Sequence, residues 1–247
     1  MKLHEPTFGE EEIAAAVDVM RSTMVTQGDK VREFENAFRP GSVACNSGSS
    51  ANLLAISALV ATGRLKAGDM VIVSALSWST TVWPIIQCGL VPVIVDCDAD
   101  TLNIDPNEVE RAIGPKTRAL MPVHVYGNPC DMGALSYLKG KYNLVMIEDC
   151  CESMGAEYDG PIGEHADVAT FSTYFSHHIT TFEGGFACTD DPELADMMRI
   201  QRSHGWTRDV PHHIEYPGID PRFTFVELGY NLRLTEVAAA IGLVQLP

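Results

Sequence analysis

The stretch Phe171-Ser172-Thr173-Tyr174-Phe175-Ser176-His177-His178-Ile179-Thr180-Thr181-Phe182-Glu183-Gly184-Gly185 sets two histidines among hydroxyl side chains and stops on a Gly-Gly pair. An imidazole with an ordinary pKa of about 6.5 can take or give a proton near neutrality. A single histidine is usually a satisfied structural residue, but two in a polar loop between apolar runs are harder to explain as packing. A second feature, Ile147-Glu148-Asp149-Cys150-Cys151-Glu152, closes an apolar run with acids. A carboxylate at the carboxyl end of a parallel strand faces the crevice where α/β sheets bind ligands. There Asp149 could hold a protonated ring nitrogen, hold a metal, or only cap a helix. The third feature is the small-residue turn Asn46-Ser47-Gly48-Ser49-Ser50. Free N–H groups at a helix start, with hydroxyls beside them, suit a phosphate, although such a turn also serves as a plain cap.

The elements that must position these residues follow from hydrophobic spacing. Residues 9–23 begin with acids and repeat Ile13, Val17 and Met20 at helical intervals. A short helix is expected from Val31 to Phe38, and another over Ala51 to Val60. Apolar runs at 71–75, 91–95, 118–123 and 144–148 read as strands, with helices at 79–88, 106–113 and 131–140 between them. Strand candidates 167–172 and 185–189 flank the histidine loop. A helix from Pro192 to Arg202 follows, and a last one starts near Thr235. Alternating strands and helices imply a largely parallel sheet covered on both faces. The stretch from Ala238 to Leu246 reads as helix interior, and the sequence stops at Pro247, which reads as a truncated chain.

Composition narrows the partners. The formal net charge of −16 argues against nucleic acid or an anionic membrane surface, though not against a small anion held by local dipoles. No apolar run approaches the roughly 18–20 residues of a membrane helix, and Met1 to Pro6 lacks the basic and apolar regions of a signal peptide. The seven cysteines, an odd number in apolar surroundings, suit a reduced cytoplasmic protein. Adjacent Cys150 and Cys151 without a second cluster do not make a usual metal set, so no metal is expected.

Taken in order, the N-S-G-S turn, aromatic Trp78 within Ser77-Trp78-Ser79-Thr80-Thr81, Glu-Asp after a strand, the loop ending E-G-G, and Gly229-Tyr230-Asn231-Leu232-Arg233 resemble the DegT/DnrJ/EryC1/StrS family of sugar aminotransferases and their relatives. Thr101 to Asp105 and Val123 to Pro129 are similar to it as well, and the resemblance runs from about Thr26 to Pro247. It implies an α/β fold, the aspartate-aminotransferase-like (fold type I) large domain, with a mostly parallel central sheet flanked by helices. Residues 1–247 would form this pyridoxal/pyridoxamine-phosphate-binding domain with an N-terminal helical segment, the family's C-terminal small domain being cut off after 247. It also implies that Gly48, Ser49 and Ser172 hold the cofactor phosphate, Trp78 stacks on the ring and Asp149 pairs with the ring nitrogen. Glu152 would sit near the 3-hydroxyl. Asn231 would reach the cofactor of a neighbouring subunit, making a homodimer with shared active sites.

One position departs from the aminotransferases of the family, which read S-x-x-P-x-K-N and tether the cofactor through the lysine. Aligned on Phe171-Ser172, that place is His177, and Lys2, Lys30, Lys66, Lys116, Lys139 and Lys141 all lie elsewhere. Imidazole cannot form a stable Schiff base. The histidine-bearing relatives imply instead pyridoxamine 5′-phosphate held without a covalent bond, with His177 as catalytic base. The reaction implied is C3 dehydration of a nucleotide-linked 4-keto-6-deoxy sugar, GDP-4-keto-6-deoxymannose by resemblance, in deoxysugar and lipopolysaccharide synthesis. Glutamate would be the amine donor. A second histidine-bearing subgroup carries an iron–sulfur cluster on cysteines after the H-G motif. No cysteine follows Cys188 here, so no cluster is expected. Arg208 is a candidate for a substrate or glutamate carboxylate, and His178 either for a supporting hydrogen bond or for a merely structural role. Amino transfer, or a catalytically silent nucleotide-sugar or partner-binding relative, are the competing readings.

Overall fold

Strands of this sequence are apolar on both sides, and such strands are stable only with both sheet faces covered. The computed structural model describes residues 5, 7–210 and 218–246. Among them, β1 (Ser42–Cys45), β2 (Met70–Ser74), β3 (Val91–Val95), β4 (Thr117–Met121), β5 (Val145–Asp149), β6 (Val168–Ser172) and β7 (Gly185–Cys188) form one sheet in the order β1-β7-β6-β5-β4-β2-β3. Strand β7 pairs antiparallel with both β1 and β6, and every other pairing is parallel. β1 therefore points the same way as β2 to β6. The edge strand β3 leaves Val91 and Ile94 exposed and accommodates Pro92, which could not serve a central ladder.

The helices are α1 (Glu10–Ser22), α2 (Asp29–Phe38), α3 (Gly48–Ala61), α4 (Ser79–Gln87), α5 (Pro106–Ala112), α6 (Met132–Tyr142), α7 (Pro192–Arg202) and α8 (Glu236–Gln245). Alternation along the strands sorts the core into layers. Val71, Val73, Ala119, Met121 and Ile147 meet Leu54 and Leu59 of α3, Ile85 of α4 and Met198 of α7. The intervening Ile72, Leu120 and Met146 meet Val109 of α5 and Leu135 and Leu138 of α6. On that second face, beyond β5, Ala44, Phe171 and Phe186 are covered by Val31 and Phe34 of α2 and Ala238 and Ala239 of α8. Phe38 stacks on Phe186 with ring centroids 4.2 Å apart.

One helix caps another across the chain. Buried Glu236, at the start of α8, accepts the backbone N–H groups of Gly28 (2.8 Å), Val31 (2.9 Å) and Lys30 (2.9 Å) at the start of α2. An anion at a helix N-terminus satisfies otherwise unpaired donors and the positive end of the dipole.

The α/β sheet flanked by helices matches the sequence reading, with three differences. Strand β1 is unanticipated, because four residues are too short to show a period. The reversal of β7 is also new. In α1 the expected apolar stripe is not the buried face: Ile13 and Met20 are exposed, while Glu12 and Val19 are buried. The Glu12 carboxylate receives the Gly9 N–H (2.7 Å) and the Gln245 side-chain amide (2.7 Å), so polar ties between α1 and α8 set the helix's rotation.

Candidate active site

The carboxyl ends of β1, β2, β4, β5 and β6 open on one end of the sheet, and the loops that follow them carry the chemically notable residues. After β1 the chain turns into α3. Ser47 caps this helix, its hydroxyl accepting the Ser50 N–H at 3.1 Å, and Gly48 is the first helical residue. A Cβ on Gly48 would lie 2.7 Å from Ser172 Cβ and 2.9 Å from Cys151 Sγ, and one on Gly185 would lie 2.7 Å from Gly48 N. Three segments therefore meet without a side chain's thickness between them, and only glycine permits that approach. Ser49 is exposed, with its hydroxyl donating to Thr80 Oγ1 at 2.9 Å. Buried Ser172, at the end of β6, accepts the Tyr174 N–H at 3.3 Å.

Asp149 ends β5 and is buried. Its Oδ2 accepts from Thr81 Oγ1 (2.8 Å) and Asn52 Nδ2 (2.9 Å), and its Oδ1 from the Cys151 N–H (3.2 Å). Sequence reasoning missed Asn52 and Thr81. For Asn52 the available signal was a polar residue inside the apolar stretch Ala51 to Val60; Thr81 offered none. Trp78, just before α4, is 69% exposed. Trp78 is therefore no core residue, and its indole is accessible for stacking. Glu152 accepts the N–H of Tyr126 at 3.0 Å, and Tyr126 holds a left-handed backbone (φ 52°), uncommon for a bulky residue.

His177 is half-buried, with its N–H donated to Tyr174 O at 2.9 Å. Burial pulls its pKa below the ordinary value, and the neighbouring His178 pulls the same way; the charges of Glu152 and Asp149 oppose them. His177, Asp149 and Glu152 thus share one electrostatic neighbourhood. His178 is exposed. Asn231 is exposed on a segment that bridges Ser203, next to Leu232, whose carbonyl accepts the Asn46 N–H at 2.9 Å. It is therefore at the rim of the same turn. Arg208 lies over the Trp206 ring at 3.8 Å, beside residues 211–217, which lie outside the described residues.

His124, Glu148 and Cys150 also cluster, buried, on the opposite face of β5 from Asp149. Both His124 nitrogens and one Glu148 oxygen are engaged: His124 Nδ1 accepts the Cys130 N–H (3.0 Å), and its Nε2 meets Glu148 Oε2 (3.1 Å), which also accepts the Gly163 N–H (2.7 Å), while Glu148 Oε1 is buried without a partner. The group ties the 122–130 loop to β5. At the far end of the sheet, a cleft of about 450 Å³ is lined by Arg64, Arg118 and Lys139. Arg64 is paired with Asp191 (2.5 Å) and Lys139 with Asp167 (3.0 Å).

An anion cradle at a helix start, a buried carboxylate with spare acceptor capacity and an exposed indole suit a phosphorylated aromatic ring with a basic nitrogen. The pattern of the DegT/DnrJ/EryC1/StrS aminotransferase family matches residues 6–247, and the chain belongs to that family. It is 43% identical over 258 aligned residues to a GDP-4-keto-6-deoxy-D-mannose 3-dehydratase of Yersinia pseudotuberculosis, covering 99% of this chain and 66% of that protein. A structure of GDP-4-keto-6-deoxymannose 3-dehydratase with a trapped PLP–glutamate geminal diamine superposes with a TM-score of 0.94 at 38% identity, covering 99% of this chain and 67% of the other. A histidine-to-asparagine variant of such an enzyme with bound GDP-perosamine gives a TM-score of 0.93 at 38% identity, with the same coverage. The chain thus spans about two thirds of the length of these relatives.

Proposed function

We propose that this chain binds pyridoxamine phosphate without a covalent tether and serves the C3 dehydration of a nucleotide-linked 4-keto-6-deoxy sugar. The observation that carries the reading is His177. It occupies the lysine place in the loop after β6, half-buried and within the field of Asp149 and Glu152. Among the described residues no lysine sits on the loops at this end of the sheet. Lys66 and Lys116 precede β2 and β4, Lys139 and Lys141 lie in α6 ahead of β5, and Lys30 is in α2.

The residues present fit the cofactor. The N–H groups of Gly48 and Ser49 begin α3, and with the Ser172 hydroxyl they would hold the phosphate. Asp149 would keep the ring nitrogen protonated, Trp78 would cover the ring, and Glu152 would face the 3-hydroxyl. Asn231 would reach the cofactor of a second copy, which makes the working unit a homodimer. When bound, the cofactor supplies an amine for the sugar's keto group and a ring that takes up electrons. His177 would move the proton at C4′: as neutral imidazole it would take that proton up, and as imidazolium it would give one to the departing C3 hydroxyl, so that water leaves. Its lowered pKa keeps it in the accepting form near neutrality. The GDP moiety is supported by the relatives named for it, and glutamate as amine donor by the relative holding a PLP–glutamate adduct.

The test is incubation with pyridoxal phosphate, glutamate and GDP- or CDP-linked 4-keto-6-deoxy sugar, with products read by mass spectrometry. The expected product is a 3,6-dideoxy-4-keto sugar from the GDP substrate. His177→Asn should bind pyridoxamine phosphate yet lose turnover by about 10²–10⁴, the usual worth of a general base. A stable amino sugar as product would overturn the reading in favour of amino transfer.

A further inference from the structure

We infer that Asn52 is a positioning residue for the cofactor's ring nitrogen, acting through Asp149; this rests on the cofactor reading above. An ionised carboxylate offers about four acceptor positions. In Asp149, Oδ2 uses two, for Thr81 Oγ1 (2.8 Å) and Asn52 Nδ2 (2.9 Å), and Oδ1 uses one, for the Cys151 N–H (3.2 Å). The remaining position is on Oδ1. The two side-chain donors on Oδ2 leave Oδ1 as the atom with room for the N–H of a protonated ring.

Asn52 can do this in one orientation only. Its Oδ1 accepts from Thr170 Oγ1 at 2.6 Å, and its Nδ2 also donates to Thr80 O at 3.2 Å. A flipped amide would set its oxygen against the Thr80 carbonyl and the Asp149 carboxylate. Asn52, Thr81, Thr170 and Asp149 are all at least 97% buried, so the bonds among them are shielded from bulk solvent. The residue also breaks a local rule. Leucine forms helix better than asparagine, and the neighbouring Ala51, Leu54, Ala55 and Ile56 are fully buried. Asn52 stands one helical turn beyond Gly48, on the same side of α3. A single rigid element thus carries the phosphate cradle at its first residue and the brace of the ring-nitrogen partner one turn on, which fixes the spacing between the two ends of the ligand.

The experiment compares two probes: pyridoxamine phosphate, and its 1-deaza analogue in which CH replaces the ring nitrogen. Dissociation constants are measured by calorimetry on the unsubstituted chain and on Asn52→Leu. The expected result is a loss of roughly tenfold for pyridoxamine phosphate, the scale of one hydrogen bond to a charged group, with the deaza analogue unchanged. Equal losses for both probes mean that Asn52 only shapes the fold, and no loss for either means that it does not act on Asp149; both overturn the inference. Thr170→Val, which removes the partner orienting the amide together with a longer bond to Glu148 O (3.4 Å), covers a failure of Asn52→Leu to fold. It should give a loss of about threefold, again confined to the probe with the ring nitrogen, as expected of a weakened rather than a deleted bond. If the unsubstituted chain binds neither probe, the cofactor reading fails and this inference with it.

Discussion

Gly48→Ala perturbs the junction on which the phosphate cradle depends. The new methyl would stand 2.7 Å from Ser172 Cβ, 2.9 Å from Cys151 Sγ and 3.1 Å from Ser172 Oγ, whereas carbon atoms prefer about 3.5–4.0 Å. None of these neighbours is the free end of a long side chain. Ser172 ends β6, and Cys151 follows Asp149, to which its N–H is bonded. The start of α3 must therefore back away from β6. Overpacking of this kind costs about 2 kcal/mol, which for a chain of this size lowers the melting temperature by about 4–8 °C. The displaced N–H groups should weaken pyridoxamine phosphate binding at least tenfold. Gly140→Ala is the internal contrast. It lies within α6 with nothing within 4 Å of the new Cβ, and replacing a helical glycine gains about 0.5–1 kcal/mol. Thermal melts followed by circular dichroism and a fluorescence titration with pyridoxamine phosphate read both. A Gly48→Ala protein that melts within about a degree of the unsubstituted chain and binds equally well would show that the junction of α3 with β6 does not require glycine at position 48.

Glu236→Gln should destabilise the chain by about 1–3 kcal/mol, because the amide nitrogen cannot accept one of the three N–H groups that the carboxylate now receives. A urea midpoint that falls with unchanged slope checks this, and an unchanged midpoint contradicts it. The pH profile of kcat/KM should show an acid limb below the ordinary histidine pKa of about 6.5, since burial lowers that of His177 and only the neutral form accepts a proton. Glu152 raises the His177 pKa and His178 lowers it. Glu152→Gln should therefore move the limb to lower pH and His178→Gln to higher pH. Shifts in the reverse directions count against His177 as the titrating group.

What the sequence disclosed depended on how local each signal was. Apolar runs closed by Asp149 and Ser172, and a turn of small residues before α3, are contiguous, and they marked both the sheet and the loops at its carboxyl end. β1 escaped because Ser42–Cys45 is too short to display alternation, and its place depends on pairing with β7 far along the chain. The brace on Asp149 joins residues 68 and 97 positions away, and Thr170 reaches Asn52 across 118. No spacing rule reports such contacts. The capping of α2 by Glu236 spans 208 positions and was invisible for the same reason. For α1, spacing correctly gave a helix, yet the polar contacts of Glu12 turned Ile13 and Met20 outward.

Borohydride reduction of the protein loaded with pyridoxal phosphate, followed by peptide mass spectrometry, shows whether any lysine tethers the cofactor in a chain with histidine at position 177. With the untethered cofactor proposed above, no lysine of the unsubstituted chain carries a pyridoxyl group at stoichiometric loading, and residue 177 is modified in His177→Lys. A stoichiometric pyridoxyl adduct on one of the native lysines would contradict that proposal.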